Sequence, residues 1–147
     1  LETCRFDDSV GDLVEMAQPK RFLIGSILIF LLISVGIGFA LYRYAMDSQF
    51  RVSSEVAKDM IAKGNVDVIL DVRTDFERNT LGFYPNSVHI QSGDLQEQMP
   101  MKYPNKNIHI LAYCNTGQRS RKATEILHSL GYKNVVYISG SYKTLLQ

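Results

Sequence analysis

Cysteine is scarce in this chain, and charge is close to balanced. Two cysteines in 147 residues, Cys4 and Cys114, are too few for a disulfide framework. They lie on opposite sides of a long apolar run, so no bridge between them is expected and Cys114 is read as a free thiol. A formal charge of +1 excludes a bulk electrostatic preference for nucleic acid, and no acidic tail is present. The first 46 residues carry four basic and five acidic side chains, the remainder 12 and 10, so neither part is polarised. Internal repeats and low-complexity tracts are absent, which excludes a repeat array. The three histidines, His89, His109 and His128, lack metal-ligand spacing. No metal and no cofactor is expected.

What the chain has is one uncharged stretch, FLIGSILIFLLISVGIGFALY, residues 22–42. A helix of that length reaches about 31 Å at ~1.5 Å per residue, the thickness of a hydrocarbon core. Lys20 and Arg21 close one end and Arg43 the other, with Tyr42 and Tyr44 suited to the interface. A buried soluble helix would be shorter and show a polar face, and a cleaved signal peptide would carry a shorter apolar run. The expectation is a single-pass membrane protein in contact with lipid. Ser34 with Gly38 and Gly36 with Ala40 form small-residue pairs on helix faces, where another transmembrane helix would approach closely. Orientation stays open. The flanks carry equal Lys/Arg counts; Lys20 and Arg21 tilt the N-terminus toward the cytoplasm, while a working thiol in the C-terminal part tilts the other way.

The remaining hundred or so residues make one domain of ordinary size. The pattern predicts a helix over 53–64, strands at 66–73, 86–90, 107–113 and 134–139, and a helix over 120–131 carrying Ala123, Ile126, Leu127 and Leu130 on one face. A polar connection over 92–106 holds a short helix around Leu95, and a last helix begins near Tyr142. Strands alternating with helices imply an α/β fold with a parallel sheet covered on both faces. The expected organisation is a leader (1–21), a transmembrane helix (22–42), a linker (43–50) and the α/β domain (51–147).

Cys114 follows a buried strand and precedes a helix, the edge at which parallel α/β sheets bind ligands. In the turn after it, Asn115-Thr116-Gly117-Gln118-Arg119, Gly117 permits the positive φ needed to curl backbone N–H groups inward. Those donors and the helix N-terminus entered near Arg119 and Ser120 favour an anion, and the thiolate over the thiol. Arg119 or Arg121 adds fixed positive charge. A nucleophilic sulfur in an anion cradle is the chemistry these residues support. An inert core cysteine would give no reason for a glycine, two arginines and a serine in the next seven positions.

CNTGQRS (114–120) resembles the active-site loop of the rhodanese family of sulfurtransferases, Cys-x-x-Gly-x-Arg-Ser/Thr. ILDVRTDFE (69–77) is similar to that family's Asp-Val-Arg segment with its later glutamate, giving Asp71, Arg73 and Glu77. GFYPNSVHI (82–90) and GYKNVVYISGSY (131–142) resemble two further segments, in the right order, so the likeness covers about residues 51–147. Phe83 replaces a usual His, Asn86 a usual Gly and Ser141 a usual Gly. Asn115 stands where many active members carry a basic residue, one charge fewer for thiosulfate.

The resemblance implies a rhodanese-like parallel sheet flanked by helices. It also implies that Cys114 takes sulfur from a small donor and passes it to a thiol acceptor. Asn115, Thr116, Gly117, Gln118, Arg119 and Ser120 would form the loop, with Asp71 and Arg73 a structural pair beside it. Phosphatases of the same fold have a loop one residue longer, Cys-x5-Arg. Here the arginine is Arg119, and the phosphatase position is Ser120, which favours sulfur over phosphorus. Two functions from different classes follow. One is a membrane-anchored, persulfide-carrying sulfurtransferase. The other is a non-catalytic docking or structural subunit of a larger membrane-associated assembly.

Overall fold

The computed structural model describes residues 18–147, with side chains from residue 22. The leader, with Cys4, lies outside the described residues apart from the start of the first helix. Among the described residues, those up to Ala40 form one compact unit and Leu41–Gln147 a second.

Helix α1 runs Gln18–Met46. From Phe22 to Met46 it is long and apolar enough to cross a membrane, and none of its most apolar 18-residue window is buried within the structure. Phe22, Phe30 and Leu32 are among its exposed side chains. Its two serine hydroxyls bond back to the helix, Ser26 to the Leu23 carbonyl at 2.9 Å and Ser34 to that of Phe30 at 2.8 Å. No serine hydroxyl therefore presents an unsatisfied donor to an apolar surrounding.

The second unit is built on four parallel strands: β1 (Val68–Asp71), β2 (Val88–His89), β3 (His109–Tyr113) and β4 (Asn134–Tyr137). Their order is β2-β1-β3-β4, with Leu70 opposite Val88 on one side and Ala112 on the other, and Ala112 opposite Tyr137. Parallel neighbours need crossovers, supplied by α3 (Asp75–Leu81), α4 (Leu95–Lys102) and α5 (Gln118–Ser129). Helix α2 (Ser54–Ala62) precedes the sheet and α6 (Lys143–Leu146) ends it.

Side chains alternate across β3 with period two. Ile110, Ala112 and Cys114 join Leu70, Leu95, Met99, Ala123 and Leu127 in one core. Leu111 and Tyr113 join Ala57, Ile138 and Leu145 in the other. The sheet is thus covered on both faces, as the strand–helix alternation predicts. Ala123 and Leu127 of α5 are fully buried, while Ile126 and Leu130 pack at the edge of the core.

Three details depart from expectation. Strands are shorter at their ends, β1 covering 68–71 rather than 66–73. Helix α3 is additional to the elements the pattern predicts. Segment 43–50, expected as a linker, is helical as far as Met46, and Phe50–Val52 then pairs beside β4, with Val52 N–H on the Tyr137 carbonyl at 2.9 Å and Tyr137 N–H on that of Phe50 at 3.0 Å. Asn86, replacing a glycine of the family pattern, takes φ 59°. Among non-glycine residues, asparagine tolerates that left-handed conformation best.

Candidate active site

Cys114 follows β3 directly, and α5 begins two residues earlier than expected, at Gln118. Gly117 is its N-cap, with φ 91° and ψ −17°. A β-carbon there would stand 2.7 Å from Ser139 Cα and 2.9 Å from its Cβ, so both conformation and space demand glycine. This turn points the Gly117 N–H at the sulfur, with N to Cys114 Sγ 3.1 Å. Ser120 Oγ is 3.6 Å from Sγ, and within reach of the Gly117 and Ile138 carbonyls at 3.1 and 3.2 Å. Cys114 is a free cysteine and has no exposed surface. Gly117 and Ser120 are also buried; Asn115, Gln118 and Arg119 are half-buried, and Thr116 is exposed.

The organising group beside the loop is Glu77, which the motif contained but whose role the sequence did not reveal. Thr74 and Glu77 form a reciprocal capping box at the start of α3. The Glu77 carboxylate accepts from Thr74 N–H at 3.0 Å and Thr74 Oγ1 at 2.9 Å. It also accepts from Asn115 Nδ2 at 2.8 Å and from both terminal nitrogens of Arg119 at 2.6 Å. The Arg119 guanidinium foremost, and the Thr74 donors after it, outweigh partial burial and hold the Glu77 carboxyl at about 2. In turn the Glu77 bonds raise Arg119 above its ordinary value, with the Cys114 sulfur adding to the effect. The signal that finds α3 is Thr-x-x-Glu, the capping box itself.

Asp71 and Arg73 form a fully buried pair behind the loop. Arg73 donates through Nη2 at 2.7 Å, Nε at 2.9 Å and its backbone N–H at 3.1 Å; the Tyr113 hydroxyl donates to the same carboxylate at 2.8 Å. Burial pushes the Asp71 carboxyl up, but these bonds prevail and leave it below the ordinary value. Arg73 also reaches the Gly82 carbonyl at 2.7 Å. Its Nη1 has no hydrogen-bond partner among the described residues, while the guanidinium lies 5.4 Å from the ring centres of both Tyr113 and Tyr142.

Arg121, weighed with Arg119 as fixed charge for the loop, is spent elsewhere. Its Nε binds Glu125 at 2.8 Å, and its Nη1 binds the Tyr44 carbonyl and, at 2.9 Å, that of Asp47. The guanidinium also lies over the Tyr44 ring at 3.9 Å. Tyr44 donates to Glu125 at 2.9 Å, and the Tyr137 hydroxyl to the Ala45 carbonyl at 2.7 Å. Residues 44–47 are therefore docked on α5 and β4 instead of trailing from them. Among the described residues no cluster of three or more His, Cys, Asp or Glu has metal-site geometry.

The family model for the rhodanese-like domain matches residues 53–146. The chain belongs to the rhodanese-like domain family. A human single-domain sulfurtransferase superposes on this rhodanese-like domain with a TM-score of 0.57, at 23% identity over 67% of this chain and 96% of that one. A Rhodopseudomonas palustris protein described as a possible tyrosine phosphatase gives a TM-score of 0.59 at 25% identity, over 73% and 86% of the two chains. Among curated proteins, the Photorhabdus laumondii tRNA uridine(34) hydroxylase is 31% identical over 77 residues, 50% of this chain and 22% of its own length. The chain spans about a quarter of the curated relatives it matches. The fold, a four-stranded parallel sheet flanked by helices, is the rhodanese fold.

Proposed function

We propose that this protein is a membrane-anchored sulfurtransferase that carries sulfane sulfur as a persulfide on Cys114. The observation that carries the reading is the loop: a cysteine at the carboxyl end of a central strand, its sulfur 3.1 Å from the Gly117 nitrogen, with an arginine five positions on. Backbone donors at the start of α5 suit a persulfide anion, as preorganised dipoles suit any charge formed in place. The six-residue span from Cys114 to Arg119 favours a single sulfur over a phosphate, against the phosphatase description of the Rhodopseudomonas palustris neighbour. The tRNA hydroxylase relatives share about a quarter of their length with this chain, and their hydroxylation is not carried over. Asp71 and Arg73 hold the strand end beneath the loop. Helix α1 crosses a bilayer once, supported by its length and by the uncharged stretch over 22–42.

One observation favours a second reading. Cys114 has no exposed surface, as a retained core cysteine would, and on that reading the domain is a docking module. The test uses the full chain in mild detergent, wild type and Cys114→Ser, treated with thiosulfate or with glutathione persulfide and weighed intact. One sulfur atom added to wild type alone supports transfer. Folded wild type that gains none from either donor supports docking.

A further inference from the structure

The closing carbonyls of a helix lack partners further along it, and at the end of α1 each of the last four has found one. The Arg43 carbonyl accepts from Asp47 N–H at 2.8 Å. That of Tyr44 accepts from Arg121 Nη1, that of Ala45 from the Tyr137 hydroxyl at 2.7 Å, and that of Met46 from Arg51 Nε at 2.9 Å. These residues all belong to the unit that begins at Leu41. Two of the donors are arginines, and positive charge is favoured at a helix C-terminus. The seat extends to the active-site turn. Ala45 is only 2% exposed, and a β-carbon built on Gly117 would meet Ala45 Cβ at 3.5 Å. Arg121 joins the two segments, because its backbone N–H bonds the Gly117 carbonyl at 2.9 Å while its side chain holds the Tyr44 and Asp47 carbonyls. Gly117 thus gives its carbonyl to Arg121 and its N–H to the Cys114 sulfur.

Resting on the sulfurtransferase reading above, we infer that the end of α1 serves sulfur transfer directly: Arg121, seated on the Tyr44 and Asp47 carbonyls, is a positioning residue that holds the Gly117 turn against Cys114. Residues 41–47 lie outside the span matched by the family model, 53–146, and Arg121 lies beyond the loop motif, so the motif alone does not supply this seat. The step it serves is loading. The Cys114 thiolate attacks the outer sulfur of a persulfide, R–S–SH. The donor S–S bond breaks, its electron pair leaving on R–S⁻, and a new S–S bond gives Cys114–S–SH. A misplacement of about 1 Å can cost on the order of 10²-fold in rate. Loss of one restraint among several should cost less, about tenfold.

The test is the loading rate of Cys114 in the full chain in detergent, read by intact mass against the concentration of glutathione persulfide and of thiosulfate. Arg121→Met removes the donors, and Arg121→Lys restores a charged one. Leu130→Ala, at the far end of α5 and packed on the core, controls for lost stability alone. Folded Arg121→Met should load about tenfold more slowly at saturating donor, with half-saturation within about twofold of wild type, the signature of a transition-state interaction. The factor should be the same for either donor that loads the wild type. Arg121→Lys should recover part of the rate, and folded Leu130→Ala should keep it. If Arg121→Met does not fold, Tyr137→Phe takes its place: it keeps the buried ring, releases the Ala45 carbonyl and should slow loading at least about threefold. A folded variant that loads at the wild-type rate overturns the inference while leaving sulfur transfer standing. A loss that Leu130→Ala shares, or that Arg121→Lys leaves whole, does the same. A wild type that loads from neither donor overturns both.

Discussion

Replacing Gly117 with alanine tests whether the loop is held in the geometry described, because two independent costs fall on one atom. The residue sits at φ 91°, where an L-residue is penalised by roughly 1–2 kcal/mol. The added methyl would also stand 2.7 Å from Ser139 Cα, a backbone atom, and 2.9 Å from its Cβ, so β4's outgoing chain or the turn itself must move. Overpacking of that kind costs about 1–3 kcal/mol. The sum is about 2–5 kcal/mol, and at ~4–8 °C per kcal/mol for a domain near 100 residues the melting temperature should fall by at least about 8 °C. Any shift of the turn also withdraws the Gly117 N–H from the sulfur, so persulfide loading of the folded fraction should fall in parallel. Thermal unfolding of wild type and Gly117→Ala in the same detergent, followed by tyrosine near-UV dichroism, reads the first effect. A melt within 2 °C or so of wild type, less than about 0.5 kcal/mol, would refute the turn geometry from which the cradle is argued.

Asp71→Asn removes the charge that Arg73 needs while keeping the shape, so an uncompensated guanidinium stays buried; the expected loss is about 3–5 kcal/mol in urea unfolding, and a loss under about 1 kcal/mol would contradict the burial of the pair. The Glu77 carboxyl, near 4.5 when unfolded and about 2 when folded, contributes stability that is fully present above pH 4.5 and lost as pH falls through 2. The shift corresponds to a ceiling near 3 kcal/mol, reduced to about 1–2 kcal/mol by solvent at this partly exposed pair. Glu77→Gln should therefore flatten the acid limb of the stability curve between pH 5 and 2, roughly the interval set by these two values. Starting the domain at residue 51 removes the carbonyl partners of the Tyr137 hydroxyl and N–H and two partners of Arg121, so a 51–147 fragment should be about 1–3 kcal/mol less stable than 41–147, measured by parallel urea titrations.

The sheet was legible because its strands are short apolar runs bounded by turns and helices, and two-sided burial leaves such runs uninterrupted. Helix α5 was legible from its apolar face, Ala123, Ile126, Leu127 and Leu130, and Cys114 from its place between a buried strand and a glycine. Helix α3 was not, because it is seven residues long and none of them is buried; it carries no apolar stripe to betray its period. Its start lies in Thr74 and Glu77, a local hydrogen-bond signal that a periodicity search passes over. The stretch 43–50 looked like a linker because it is mostly polar between an apolar run and a domain. It becomes structured through long-range partners, Arg121, Glu125 and Tyr137, more than seventy residues away in sequence.

Charge was the least legible property of the site, and the reason is physical. A sequence lists charges but not the groups that neutralise them. Arg119 and Arg121 lie two residues apart at the start of one helix, and by count either one supplies a cation to the loop. Two residues on a helix are some 200° apart around its axis, so the two guanidinium groups leave on nearly opposite sides. One meets Glu77, 42 residues upstream, and the other meets Glu125 one turn along. Arg119 belongs to the loop motif and Arg121 directly follows it, yet both guanidinium groups are paired with glutamates. The net charge beside the sulfur is therefore set by two glutamates, one of them remote in sequence, as much as by the two arginines.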